Sequence, residues 1–567
     1  MKRTALIVCI ALAFAGVLWA AYQASKPSTP LSKYVPAGPL LYLEANDFSS
    51  LLSDWNSSPQ KRLWMRSGSY DVFSRSRLFL RLSGASEQFA AAAGLPPDMD
   101  FLSQVSGERS ALALYDIGKL EFLYITYLPS AKSMETALWQ SRAKFEPRTA
   151  GGVDFYFRRD PDSKREVAFA VAGDYLLLST REDLMAGALQ LMAGKQDRTV
   201  ESEQWWAQST AAAGKTGDLR MVLDLGKLVP SGYFRTYWVQ QNITDLSQYS
   251  AAVSDLFRSS KEYREERVLI RKKEQEQPAA AAGFAAAADL SRLVPDDAGV
   301  YRVAANPSAD ASFALLETKL LAPHLGPAPA SQIAPAVQLT SGEQGGASDL
   351  ETRIDQAPAE RATAPQSASA LKDLLDKAPL LASLQVQSTA RDQAGVFIRI
   401  HSAVILAAAS DWNESSVQSA LADFVRPGLT ASRLGVAWQS RTGYQQLDGL
   451  WPLVAAARGK YLLVSDDPAL MESLLANFNR KSGVEPAELI AGFNHLRERA
   501  NFIRFTGLID RPNTISDRMQ NPEHRPQFFS GNMASLSTTL AAVSSEKIEV
   551  REDGGKMRQS VSYEWSQ

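Results

Sequence analysis

The stretch "DYLLLSTREDLMAGAL" at 174–189 returns as "KYLLVSDDPALMESLL" at 460–475. Tyr175, Leu176, Leu177, Ser179, Leu184, Met185 and Leu189 meet identical residues at Tyr461, Leu462, Leu463, Ser465, Leu470, Met471 and Leu475. Each copy reads as the last strand of a hairpin, entered through a turn at Gly173-Asp174 or Gly459-Lys460 and running on into a helix. One such match is weak, because strand–turn–helix junctions resemble one another by composition.

Two more matches keep the same order. "YVPAGPLLYLEAND" at 34–47 pairs Val35, Pro36, Tyr42 and Ala45 with Val294, Pro295, Tyr301 and Ala304 of "LVPDDAGVYRVAAN" at 293–306. Ala137-Leu138 pairs with Ala420-Leu421. The spacing between copies only grows along the chain, and one segment accounts for the growth. Residues 322–370 are rich in Ala, Pro, Gly, Ser and Gln and poor in aromatics, so they bury too little apolar surface to offset chain ordering.

The expected fold class is therefore α+β: two tandem similar domains with antiparallel sheets and packed helices, after one N-terminal transmembrane helix. The expected layout is a signal-anchor over 1–25, a tether over 26–33, a first repeat over 34–276, an Ala-rich linker over 277–290, and a second repeat over 291–567 with its disordered insertion. Within this frame "RSALALYD" and "KLEFLYITYLP" read as one strand pair, and "GVFIRIHS" and "AVILAAAS" as another. "LRMVLDLGKL" at 219–228 and "FIRFTGLIDR" at 502–511 read as the next strand of each copy. A long amphipathic stretch, 233–260, and the alternating "KMRQSVSYEW" at 556–565 close the two copies.

The anchor rests on the first 23 residues. Lys2 and Arg3 precede Thr4 to Gln23, a stretch without a charge that is just long enough for a bilayer core of roughly 30 Å. The two basic residues hold the short end inside, leaving the bulk of the chain extracytoplasmic at the inner membrane. Cleavage at Ala13-Phe14-Ala15, which would make the protein periplasmic or secreted, is the alternative, although the apolar run continues past that point. The lone Cys9 lies in this stretch, so the rest of the chain forms no disulfide.

Composition narrows the chemistry. Among 567 residues, 60 Lys and Arg stand against 62 Asp and Glu, which leaves no global positive field for nucleic acid. The four histidines are scattered, no metal-ligand spacing occurs, and no cofactor fingerprint is present. Gly214-Lys215-Thr216 lacks the glycine five residues earlier that a phosphate cradle needs; that position is Ser209. No Gly-x-Ser-x-Gly elbow exists, so no catalytic, cofactor or metal residue is assigned.

Two aromatic groups are candidate interaction surfaces: Trp205-Trp206 in the polar setting "ESEQWWAQS", and Tyr233, Tyr237 and Trp238 in "YFRTYWVQQN". Such side chains bury large area while keeping a polar handle.

The phrases "YVPAGPLLYLEANDFSSLL", "YFRTYWVQQN…AAVSDLFRSSKEYREERVLI" and "LVPDDAGVYRVAAN" together resemble an uncharacterised bacterial domain-of-unknown-function family of envelope-facing proteins with an N-terminal signal or anchor. The resemblance implies the address and the two-part layout and no activity. The expected role is a membrane-anchored binding or scaffolding module whose partners are the membrane and an envelope protein. Two alternatives stand beside it. One is an envelope hydrolase with its site in the cleft between repeats. The other is a carrier of an apolar ligand, for which a continuous apolar cavity is the deciding observation.

Overall fold

The computed structural model describes residues 29–132, 137–232, 246–273, 280–321, 369–391, 398–431, 437–448, 453–509 and 542–565. The expected anchor over 1–25 and the expected disordered insertion lie outside these, apart from the last residues of the insertion. Among the described residues no helix is long and apolar enough to cross a membrane. By internal contacts the described chain divides in two. Residues up to Asn56 group with Arg77–Val253, and Ser57–Ser76 group with the residues from Ser254 onward.

The first unit is built from β1 (Leu41–Ala45), α1 (Phe48–Ser57), α4 (Arg77–Ala93), α5 (Met99–Val105), β2 (Ser110–Asp116), β3 (Glu121–Tyr127) and α6 (Ala137–Gln140). It continues with β4 (Glu146–Ala150), β5 (Val153–Arg159), β6 (Glu166–Ala172), β7 (Tyr175–Ser179), α7 (Glu182–Met192), α8 (Gln204–Ala212), β8 (Leu219–Leu223) and α9 (Leu225–Leu228). Helices α2 (Pro59–Met65) and α3 (Gly68–Ser74) fall in the segment that groups with the second unit. The strands form one antiparallel sheet in the order β8–β1–β2–β3–β7–β6–β5–β4.

Strand β6, "EVAFAVA", shows why both faces of this sheet are covered. All of its residues from Val167 to Ala172 are buried, as a strand with a layer on each side requires. Because side chains alternate, Val167, Phe169 and Val171 serve one face and Ala168, Ala170 and Ala172 the other. The small alanines let α7 approach that second face with Met185, Ala188 and Leu189, all fully buried. Residues 31–33, expected in the tether, instead form a 3-10 turn over Leu31–Tyr34 with Leu31 only 1% exposed.

The second unit begins within β9 (Tyr249–Arg258) and continues with β10 (Glu262–Arg271), α10 (Ala280–Ser291), β11 (Val300–Ala305), α11 (Ala309–Leu316), a π-turn over Glu317–Leu321, α12 (Ser369–Lys377), β12 (Leu380–Arg391) and β13 (Ile398–Ala408). Then follow α13 (Glu414–Ala431), β14 (Ala437–Arg441), β15 (Tyr444–Asp448), β16 (Val454–Arg458), β17 (Tyr461–Ser465), α14 (Pro468–Ala476), β18 (Leu489–Phe493), α15 (His495–Ile509), β19 (Val543–Asp553) and β20 (Lys556–Trp565). Its antiparallel order is β10–β20–β19–β18–β11–β12–β13–β17–β16–β15–β14. Gly173 and Gly459, at φ +59° and +55°, make the turns into β7 and β17 in a backbone region that other residues seldom enter.

Four further expectations change. The pair "GVFIRIHS" and "AVILAAAS" contributes one continuous strand, β13: His401 and Ser402 pair with Ser388 and Gln387 of β12 and no turn intervenes. Residues 502–509 are helical, because α15 starts at His495 where the Asn494 side chain accepts from Arg497 N at 3.1 Å. The end of the stretch 233–260 is the strand β9, and its 233–245 portion lies outside the described residues. The Ala-rich stretch expected as a linker is helix α10 over Ala280–Ser291, which places Ala287 and Leu290 in the second unit's core at 0% exposure.

Candidate functional site

The two faces of the first unit's sheet are packed differently. On one face Tyr42, Ala113, Leu123, Ile125 and Leu177 are all at 0% exposure. Their alternating neighbours Leu43, Leu112, Phe122 and Tyr124, which face the other way, are only partly buried. What stands over that second face is a cavity of about 470 Å³.

The floor of the cavity is the sheet: Leu43 of β1, Leu112 of β2, Phe122 and Tyr124 of β3, Leu178 of β7, and Val167 of β6. Its roof is helical. Helix α4 presents Leu82, Ala85, Ser86 and Phe89, whose spacing of three, one and three residues holds them to a single face. Helix α5, capped by Asp98 accepting from Phe101 N at 2.8 Å, adds Phe101, Leu102 and Val105. Phe48 of α1 and Pro97 complete the roof. Leu82 is 44% exposed, so the cavity reaches solvent beside it.

Sealed and empty, a void of this size would cost roughly 11 kcal/mol at about 24 cal/mol per Å³, as much as a whole domain's stability. An opening to solvent removes that penalty and gives a ligand a way in. The volume falls in the range of roughly 300–1,000 Å³ typical of small-molecule sites.

The few polar groups in the lining are mostly engaged elsewhere. Ser110 Oγ lies 2.6 Å from Thr126 Oγ1, and Tyr124 Oη donates to the Val105 carbonyl at 2.8 Å. Burial raises the Tyr124 phenol above its ordinary range, so it stays a neutral donor. Thr180 Oγ1 accepts from Phe122 N at 2.8 Å. Glu166 accepts from Arg159 Nε at 3.1 Å and from Glu182 N at 3.0 Å. Arg165 donates from Nε to Gln88 Oε1 at 3.0 Å and from its terminal nitrogen to the Lys119 carbonyl. Burial, then the neighbouring Arg81, lowers its pKa from the usual guanidinium value, although an arginine remains a cation.

In the second unit, one face of β13 and β17 is filled. Val404 and Leu406 of β13 and Leu462 and Val464 of β17 are covered by Leu316, Leu320, Leu371, Leu375 and Leu421, all five at 0% exposure.

The residues read from sequence as interaction surfaces fall elsewhere. Trp205 and Trp206 are 7% and 8% exposed on α8, with Trp206 edge-on to Tyr42 at 4.8 Å between centroids and Trp205 at 5.9 Å from Trp206. Their indoles fill the sealed face of the sheet, opposite the cavity. Tyr233, Tyr237 and Trp238 lie outside the described residues. The cavity residues themselves were not singled out in the sequence, although the Leu82, Ala85, Phe89 spacing and Asp98 before α5 were available signals.

No protein-family model and no curated protein matches the chain, so the family resemblance adds nothing to the site. Two crystal structures of TP0453 align with part of it. Crystal form I is 12% identical over 44% of this chain and 82% of that one, with a TM-score of 0.23. Crystal form III is 14% identical over 48% and 90%, with a TM-score of 0.24. Likeness at this level carries no statement about fold or function.

Proposed function

We propose that the protein is an apolar-ligand-binding module, in which the first unit holds the ligand between its sheet and the roof of α1, α4 and α5. The observation that carries this reading is the cavity of about 470 Å³ with an almost wholly apolar lining. A space of that size lies in the range of roughly 300–1,000 Å³ of small-molecule sites and is on the scale of one long alkyl chain.

The reading includes a tandem duplication. The run β8–β1–β2–β3–β7–β6–β5–β4 in one unit is matched, strand for strand, by β18–β11–β12–β13–β17–β16–β15–β14 in the other, and the sequence matches at Tyr42, Tyr175 and Ala137 fall on corresponding elements. In this reading the first copy binds and the second, whose matching face is packed solid, is structural. The apolar stretch over 4–23 serves as the anchor that keeps the cavity at the outer surface of the cytoplasmic membrane.

The test uses the full-length chain in membranes and a photoreactive long-chain alcohol. The expected crosslinks lie on 82–89 and 97–112. Ala85→Trp, which fills the roof of the cavity, should abolish them while leaving the thermal unfolding profile in place. Crosslinks spread over the surface, or unchanged in Ala85→Trp, would overturn the reading.

A further inference from the structure

Resting on that reading, we infer that the ligand is a single-chain amphiphile with an oxyanion head, a carboxylate or a phosphate, and that Arg165 is the head-group partner.

The cavity lining contains one cation, Arg165, and one acid, Glu166. These neighbours in sequence do not neutralise each other. Glu166 is held by the Arg159 guanidinium and by the backbone N–H that opens α7. Arg165 reaches only the Gln88 amide oxygen and the Lys119 carbonyl, both uncharged. Two arginines near it are arranged otherwise. Arg181 pairs with Glu121 and Asp183, and Arg148 pairs with Glu146 and Glu182. Lys119, whose carbonyl Arg165 uses, has its own ammonium 3.8 Å from Glu121. Among the described residues Arg165 forms no ion pair, at the border between apolar cavity and solvent.

A half-buried guanidinium without a counter-charge in contact is costly. Glu121 and Asp116 offset part of that burden from a distance, but among the described residues no carboxylate is in contact with the Arg165 guanidinium, and a ligand that supplies an anion in contact relieves the remaining cost. The planar fork of arginine suits two oxygens at once, as carboxylates and phosphates present them. Arg81 adds positive potential nearby, which both strains Arg165 and favours an incoming anion. The chain of such a ligand would lie along Leu82, Phe89, Phe101 and Phe122, with its head at the cavity's polar border.

The experiment is competition against a photoreactive fatty acid bound to the full-length chain in membranes, using palmitate, hexadecanol and hexadecyl phosphate. Palmitate, hexadecyl phosphate or both should compete at concentrations about tenfold or more below hexadecanol, the size of a hydrogen bond to a charged group. Which of the two acids competes better tells carboxylate from phosphate. Arg165→Gln should bring both to the level of the alcohol, Arg165→Lys should retain most of the difference, and added salt should shrink it. Equal competition by acid and alcohol, unchanged in Arg165→Gln, overturns the head-group inference and leaves the apolar cavity standing. Failure of all three compounds, together with no labelling by the alcohol probe, overturns the cavity reading itself.

Discussion

Ser179 Oγ donates to the Phe122 carbonyl on the neighbouring strand at 3.0 Å and, in the same place, accepts from Arg181 N at 3.1 Å. Ser465 of the second unit does the same, donating to the Ser402 carbonyl at 2.9 Å and accepting from Asp467 N at 3.1 Å. Both serines are at 0% exposure, and both stitch the end of a strand to the start of the following helix. One backbone geometry accounts for a serine at the same place in both stretches. Ser179→Ala and Ser465→Ala each leave a part-buried N–H without its acceptor, so each should lose about 1–2 kcal/mol in urea unfolding. A loss in one unit with none in the other would break the correspondence between the two junctions.

Trp206 gives a second test, since its area is in the core. The ring meets Tyr42, itself at 0% exposure with its hydroxyl donating to Glu44 at 2.7 Å. Trp206→Ala should cost about 3–5 kcal/mol, and Trp206→Phe clearly less. An unchanged urea midpoint in Trp206→Ala would show that the indole serves a surface contact instead.

The sequence was legible where local signals and tertiary packing agree. Strands β1, β6, β7, β11, β16 and β17 carry apolar runs bounded by Gly173, Gly459 or a Pro-Gly pair, and their partners in the sheet want those same residues. It failed where a polar pair interrupts a strand that its neighbours hold together: His401-Ser402 looks like a break but continues a ladder of eleven residues in β13. It failed also in 502–509, where Phe502 and Ile503 suggest a strand unless Asn494 is read as the cap of a helix. The cavity was the least legible feature. Sequence lists the side chains that are present, whereas a cavity is volume that none of them fills, and its roof comes from the stretch 48–105, which lies between the repeated phrases.

Asp466 sets a pH dependence. Its carboxylate accepts from Ser402 N at 2.7 Å, yet burial dominates and pushes its pKa up to about 6, with Asp467 adding to the rise and His401 opposing it. The folded chain therefore holds this proton more tightly than the unfolded chain, whose value is about 3.9. The contribution favours folding at low pH and is lost as pH rises from about 4 to about 6. Asp466→Asn keeps the acceptor and removes the charge. It should stabilise the fold at pH 7 by about 1–2 kcal/mol, after allowing for partial exposure, and change little at pH 4. Thermal unfolding of both chains at the two pH values decides it, and a loss at pH 7 would reverse the assigned sign.

Two glycines beside the cavity should respond in opposite directions. Gly107 has no room for a side chain: a Cβ there would sit 2.1 Å from the Tyr127 carbonyl oxygen and 2.4 Å from Thr126 Oγ1. Its N–H donates to Thr126 Oγ1 at 3.0 Å, which lies 2.6 Å from Ser110 Oγ, which in turn lies 3.2 Å from Tyr124 Oη. Ser110 and Tyr124 line the cavity, so the same clash that destabilises the fold disturbs the ligand's floor. Gly107→Ala should lose about 2–3 kcal/mol and weaken labelling by the alkyl probe. Gly84 lies within α4, where nothing is within 4 Å of a built Cβ, so Gly84→Ala gains the usual helix advantage of roughly 0.5–1 kcal/mol. Since α4 forms the roof, the stiffer helix should leave labelling in place or strengthen it. If Gly84→Ala raised stability but abolished labelling, ligand entry would depend on bending of α4 at Gly84 and not on the fixed opening beside Leu82.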